Sequence, residues 1–166
     1  MVLPGLSAAV ISSLFAVAFF CACGVPSQGV AGDAGTIDRS AAGLTQFVKA
    51  GGYLSWRAET AVHSSSGPHG GNVRSYLNEV LYASLKAGNA THPPGSTVVK
   101  ELYGSGGTAV TGHAVDLKDE SGSWTFYEGF APSYASPYYF QGSSNLCANC
   151  HQAGVDHYLG LLSNLP

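Results

Sequence analysis

The chain has 166 residues, a formal net charge of -3 and only 10% Asp, Glu, Lys and Arg. That length holds one domain with a genuine core and is short for two. With so few cations there is no basic footprint for nucleic acid and no polybasic membrane patch, so both partner classes drop out.

Leu6 to Cys23 (LSAAVISSLFAVAFFCAC) is uncharged and apolar, then breaks at Gly24-Val25-Pro26. Its length suits the apolar part of an export signal, and the polar, Gly-rich stretch after it is a poor continuation of a membrane span. Residues 1–23 are therefore expected to be a signal peptide or lipoprotein leader, and 24–40 a flexible linker. The protein is then periplasmic or otherwise extracytoplasmic. MVLPGLS lacks the Lys or Arg that normally opens such a segment. Ala22-Cys23-Gly24 resembles a lipoprotein cleavage site that would make Cys23 a lipid anchor; simple cleavage and a retained anchor stay open beside it.

Residues 41–166 form the expected domain. Leu44, Phe47 and Val48 recur at helical spacing before Gly51-Gly52 stops the helix. Thr60 to Gly71 is Ser/Gly-rich and reads as a loop carrying His63 and His69. Asn72 to Tyr76 reads as a short strand, and Asn78 to Leu85 as a helix capped by Asn78 and stopped by Gly88. After His92-Pro93-Pro94-Gly95 come three strand-like runs, Thr97 to Tyr103, Thr108 to Leu117 and Ser123 to Phe130. Their short Gly-rich breaks suit an antiparallel meander. In TVVKELY, Lys100 shares a face with Val98 and Leu102. It is either an edge or snorkelling lysine, or an amine held at a buried site where desolvation makes it a nucleophile. Arg74 shares a face with Tyr76; it is a surface group, or a guanidinium paired with a propionate or bound anion.

The chain closes with Cys147-Ala148-Asn149-Cys150-His151, and the helix expected to start there continues through His157, Tyr158, Leu161 and Leu162. With Cys21 and Cys23 in the leader, Cys147 and Cys150 are the only thiols left to the domain. A local disulfide leaves the histidine without a reason. Structural zinc wants four ligands, and the second ligand pair that usually completes such a site is missing, although His157 could serve as one. The full C-x-x-C-H pattern is the c-type haem attachment motif, with two thioethers to the vinyl groups and His151 as the metal ligand. The only methionine is Met1, so a His/Met iron is excluded. A second histidine (His63, His69, His92, His113 or His157) or an open distal face remains, and spacing does not choose between them.

GPHGG, NVRSYLNEV, STVVKELYG, VTGHAVDLKD, SWTFYEG and the terminal CANCH, taken in order, resemble the cytochrome P-460 family over about residues 56 to 160. The resemblance implies an exported haem c protein, α+β with a mainly antiparallel β-sheet, flanking helices and a C-terminal haem c attachment helix. It further implies a homodimer and a redox partner protein. In the hydroxylamine-oxidising members a lysine is cross-linked to a haem meso carbon, and the VKE strand puts that lysine at Lys100. The family's distal arginine matches Arg74, and His151 would be the proximal ligand. The distal carboxylate that takes the substrate's protons would fall near Ala114. His113 could substitute there, or Asp116 or Glu128 could reach in from the sheet. The expected function is that of an exported haem c protein with an open distal site, oxidising hydroxylamine or a related small nitrogen species. The rival is nitric oxide or carbon monoxide binding, or electron transfer, as in the related c-prime-beta cytochromes.

Overall fold

The computed structural model describes residues 37–65 and 67–166. The expected leader, Cys23 and most of the expected linker lie outside the described residues. The described chain is α+β, with three α-helices and a seven-stranded antiparallel sheet. Among the described residues no helix is long and apolar enough to cross a membrane.

Helix α1 (Ala41–Lys49) begins where the Ser40 hydroxyl accepts from the Gly43 N–H, and it ends two residues before Gly51, whose φ is 70°. The cap satisfies a donor that the helix cannot, and the glycine takes a conformation that side chains resist. Strand β1 (Arg57–Ala58) and strand β2 (His63–Ser64) both pair with β3 (Asn72–Leu77), at opposite ends of it. Helix α2 (Glu79–Lys86) is capped by Asn78, whose side chain accepts from the Leu81 N–H. Strands β4 (Thr97–Tyr103), β5 (Val110–Lys118), β6 (Trp124–Phe130) and β7 (Tyr138–Gln141) complete the meander in the order β3-β4-β5-β6-β7. Helix α3 (Leu146–His151) follows.

The expectation of a longer C-terminal helix needs correction. α3 stops at His151, Val155 bridges back to Tyr158, and Asp156 and His157 adopt φ of 45° and 70°. The turn is held from the sheet. Lys118 Nζ donates to Asp156 Oδ2 at 2.7 Å, and the His92 N–H donates to the same oxygen at 2.7 Å. Leu159, Leu161 and Leu162 remain exposed. A short 3-10 turn, Leu162–Asn164, ends the fold.

Because successive strand residues face opposite sides, register sorts the side chains into two layers. One face carries Tyr76, Val99, Val115 and Tyr127, which pack against Leu44 and Val48 of α1, Tyr53 and Tyr134. Leu44 is 0% exposed, and burying a side chain of that size contributes about 1.5–3 kcal/mol. The other face carries Leu77 and Val98, covered by Leu81 of α2 together with Tyr158 and Leu165. Beside them Trp124 and Phe126 meet Ala148 and Cys147 of α3.

Candidate functional site

The second face, under α3, gathers the chemistry. The cross-strand register Ser75↔Lys100, Lys100↔Ala114 and Ala114↔Glu128 lays a row across β3 to β6, and Val98↔Asp116 and Asp116↔Phe126 form the row beside it. Lys100, Ala114, Asp116, Phe126 and Glu128 therefore point to one side. Among the described residues nothing pairs with the Lys100 ammonium.

Helix α3 brings its residues onto this face through an N-cap and a buried ring. The Asn145 side chain accepts from the Ala148 N–H and starts the turn; Ala148 is buried on Trp124 and Phe126. His151, 5% exposed, packs edge-on to Phe126 with ring centres 5.3 Å apart. Its Nδ1 lies 2.9 Å from the His157 carbonyl oxygen and 3.3 Å from Asp116 Oδ2. A carbonyl oxygen can only accept, so Nδ1 carries the hydrogen, and the neutral ring holds its lone pair at Nε2. A backbone acceptor on one ring nitrogen that frees the other for a metal is how metal-ligating histidines are commonly oriented.

Cys147 and Cys150 occupy the same turn of helix, and among the described residues neither is paired in a disulfide; the first is half-buried and the second exposed. Burial, then the carboxylates of Asp116 and Glu128, push the Cys147 thiol up to about 11. It is therefore held as the thiol, which resists adventitious oxidation. Two free thiols and an imidazole with one engaged nitrogen form a donor set that fits covalent haem attachment. Among the described residues no group of three or more His, Cys, Asp and Glu side chains has the arrangement of a metal site.

Glu128 sits in this face with a partner. His69 Nδ1 approaches Glu128 Oε2 at 2.6 Å, with side chains 15% and 18% exposed. This pair comes from the loop read as Ser/Gly-rich and from the strand FYEGF. Its one sequence signal is that Glu128 falls between Phe126 and Phe130 on an apolar face, just as Lys100 falls between Val98 and Leu102.

Arg74 and His113 lie elsewhere. Arg74 is in register with Glu101, on the α1 face, its Nε donating to the Glu59 carbonyl at 2.8 Å and its guanidinium 5.4 Å from the Tyr76 ring centre. The structure thus does not bring it together with Lys100 and His151. His113 belongs to a buried network on that same α1 face. The hydroxyls of Tyr53, Tyr76 and Tyr103 donate to the Glu101 carboxylate at 2.8, 3.0 and 2.7 Å. Tyr53 has spent its one proton, so His113 Nε2, 2.8 Å away, must donate to it; Nδ1 then accepts from Tyr134 at 2.7 Å. Burial lowers the His113 pKa, in keeping with this neutral ring, and burial with the Glu101 charge raises those of Tyr53 and Tyr103. Of the other histidines, His63 contacts Glu59 at 3.1 Å, and His92 Nδ1 contacts Ser84 at 2.9 Å. His157 uses its carbonyl on His151, while its own Nδ1 is buried with no partner among the described residues.

No family model matches this chain, and neither a curated protein nor a solved structure matches it.

Proposed function

We propose that this chain is an exported haem c protein that oxidises hydroxylamine or a related small nitrogen species. The observation that carries the reading is the His151 ring: buried, its Nδ1 committed to the His157 carbonyl and Asp116, its Nε2 left as a lone pair, in the same helical turn as two free thiols. Cys147 and Cys150 would hold the porphyrin by thioethers, and His151 would ligate the iron. When bound, the haem supplies a position for a small nitrogen ligand and a sink for its electrons, which pass on to a redox partner protein.

The chain's own residues then divide the work. Asp116 and the His157 carbonyl orient His151 and raise its basicity. Lys100, central in the same face, is the residue the family resemblance casts as the haem cross-link. Glu128, paired with His69 in the same row as Lys100, is the carboxylate on that face placed to take a proton from a bound ligand, a role that the family resemblance implies near Ala114. Arg74, bound to the Glu59 carbonyl on the other face, supports the sheet edge rather than this site. The homodimer belongs to the same proposal.

A second reading is favoured by the apolar cluster of Val73, Leu102 and Ala114 on the Lys100 face, a surface suited to nitric oxide or carbon monoxide without turnover, as in the c-prime-beta cytochromes. One experiment separates the two. The protein is expressed with a cytochrome-maturation system, reduced, and its spectrum and peptide masses recorded. A reduced band at the wavelength that gives the P-460 family its name, with haem mass on the Lys100 peptide and loss of both in Lys100→Ala, is the expected result. An ordinary ferrous haem c spectrum with an unmodified Lys100 peptide refutes the cross-link and favours the second reading.

A further inference from the structure

His69 stands across from His151. Their ring centres are 6.1 Å apart with planes at 84°. Two imidazoles that share one metal ion, each through a bond of about 2 Å, have ring centres roughly 6 Å apart. The two rings are also prepared in the same way. His69 Nδ1 is held 2.6 Å from the Glu128 carboxylate and His151 Nδ1 2.9 Å from the His157 carbonyl, so in each neutral ring the hydrogen sits at Nδ1 and the lone pair at Nε2. Neither Nε2 has a hydrogen-bond partner among the described residues. Of the other histidines, His113 uses both ring nitrogens and His63 meets Glu59 through Nε2; His92 Nε2 and His157 Nδ1 also lack partners among the described residues, but His69 is the histidine whose ring packs against that of His151.

We infer that His69 is a displaceable sixth ligand, coordinating the iron opposite His151 in the resting protein and leaving when a small ligand binds. The inference rests on the haem c reading and adds its regulation. His69 belongs to a stretch with positive φ at Gly70 (61°) and Gly71 (67°), and an added Cβ at Gly67 or Gly70 would meet nothing within 4 Å. The sheet anchors His151, whereas His69 is anchored through one carboxylate. His69 is therefore the imidazole that gives way.

The test uses the full-length, haem-loaded protein. Ferric wild type should give a low-spin electron paramagnetic resonance spectrum of the two-imidazole type. His69→Ala should lose it for a high-spin signal, and added imidazole should restore it. Carbon monoxide binding to the reduced wild type should level off with gas concentration, because His69 must leave first. In His69→Ala it should rise linearly and, if the iron is free about one-tenth of the time in wild type, run about tenfold faster. Glu128→Gln, which keeps an acceptor for Nδ1 but removes the charge, should retain haem and shift the spin mixture part way. A haem-loaded wild type that is already high-spin, or a low-spin signal unchanged in His69→Ala, overturns the ligand assignment and leaves haem attachment standing. A chain that emerges from maturation without haem overturns both.

Discussion

Removal of the Asp156 carboxylate tests how the sheet holds the turn behind His151. Lys118 Nζ, with its side chain 5% exposed, donates to Asp156 Oδ2 at 2.7 Å and to the His92 carbonyl at 2.9 Å. The His92 N–H uses that same carboxylate oxygen at 2.7 Å, and Trp124 Nε1 reaches the other at 3.4 Å. Asp156→Ala leaves the ammonium buried with one neutral acceptor and strips the His92 N–H. Breaking a buried pair from one side costs about 3–5 kcal/mol. The lower end applies here, because Asp156 is 16% exposed and Lys118 keeps a carbonyl. About 3 kcal/mol is a large share of a domain's stability, and at roughly 2–4 °C per kcal/mol it lowers the melting temperature by about 10 °C. Urea denaturation should show a lower midpoint with an unchanged slope. The double variant Lys118→Met/Asp156→Ala should recover part of the loss, since no unpaired charge remains. Burial raises the Asp156 carboxyl, but the Lys118 and His92 donors outweigh it and hold the pKa below the ordinary carboxylate value. Its stabilisation is therefore complete above about pH 4 and is lost as pH falls through the depressed folded value. A single variant within about 1 kcal/mol of wild type, or a double variant no better than the single, would refute this account of the turn.

On the α1 face, Glu101→Gln replaces an acceptor-only group with an amide and sets an N–H against at least one of the Tyr53, Tyr76 and Tyr103 hydroxyls. It should lower stability in urea by about 1–3 kcal/mol and, with haem attached as proposed, leave the spectrum unchanged; a spectral change would mean that the two faces are not independent. His113 and His92 are both held below the ordinary histidine value by burial, so the unfolded chain binds protons first as pH drops. Their effect on stability is absent above about pH 6.5 and grows unfavourable below it. The urea midpoint should therefore fall between about pH 7.5 and 5.5, and a rise over that range would contradict neutral rings at these two positions.

Much of the fold was legible because its signals are local. Asn78 stands where a cap belongs, Gly51 and Gly88 take the positive φ that follows a helix, and alternation marks β4, β5 and β6 to within two residues. Strands β1 and β2 have two residues each and exist only because β3 offers its free edge. β7, YYFQ, has three consecutive aromatics and no alternation to betray it. The helical spacing from His157 to Leu162 misled for the opposite reason: the residues that break it, Lys118 and His92, lie far away in the chain and act through Asp156.

The site divides along the same line. The amino-acid sequence by itself placed Cys147, Cys150 and His151 together, because a three-residue spacing within one helical turn needs no other segment. It also determined that Lys100 interrupts an apolar strand face. Only the tertiary structure decided which face that was. Alternation sorts residues within a strand but leaves the phase between strands open, and pairing Ser75 with Lys100 turns Arg74 and His113 away while lining up Ala114 and Glu128. The orientation of His151 and the approach of His69 depend on a carbonyl, two carboxylates and a turn supplied by separate parts of the chain, and their geometry exists only once the sheet has formed.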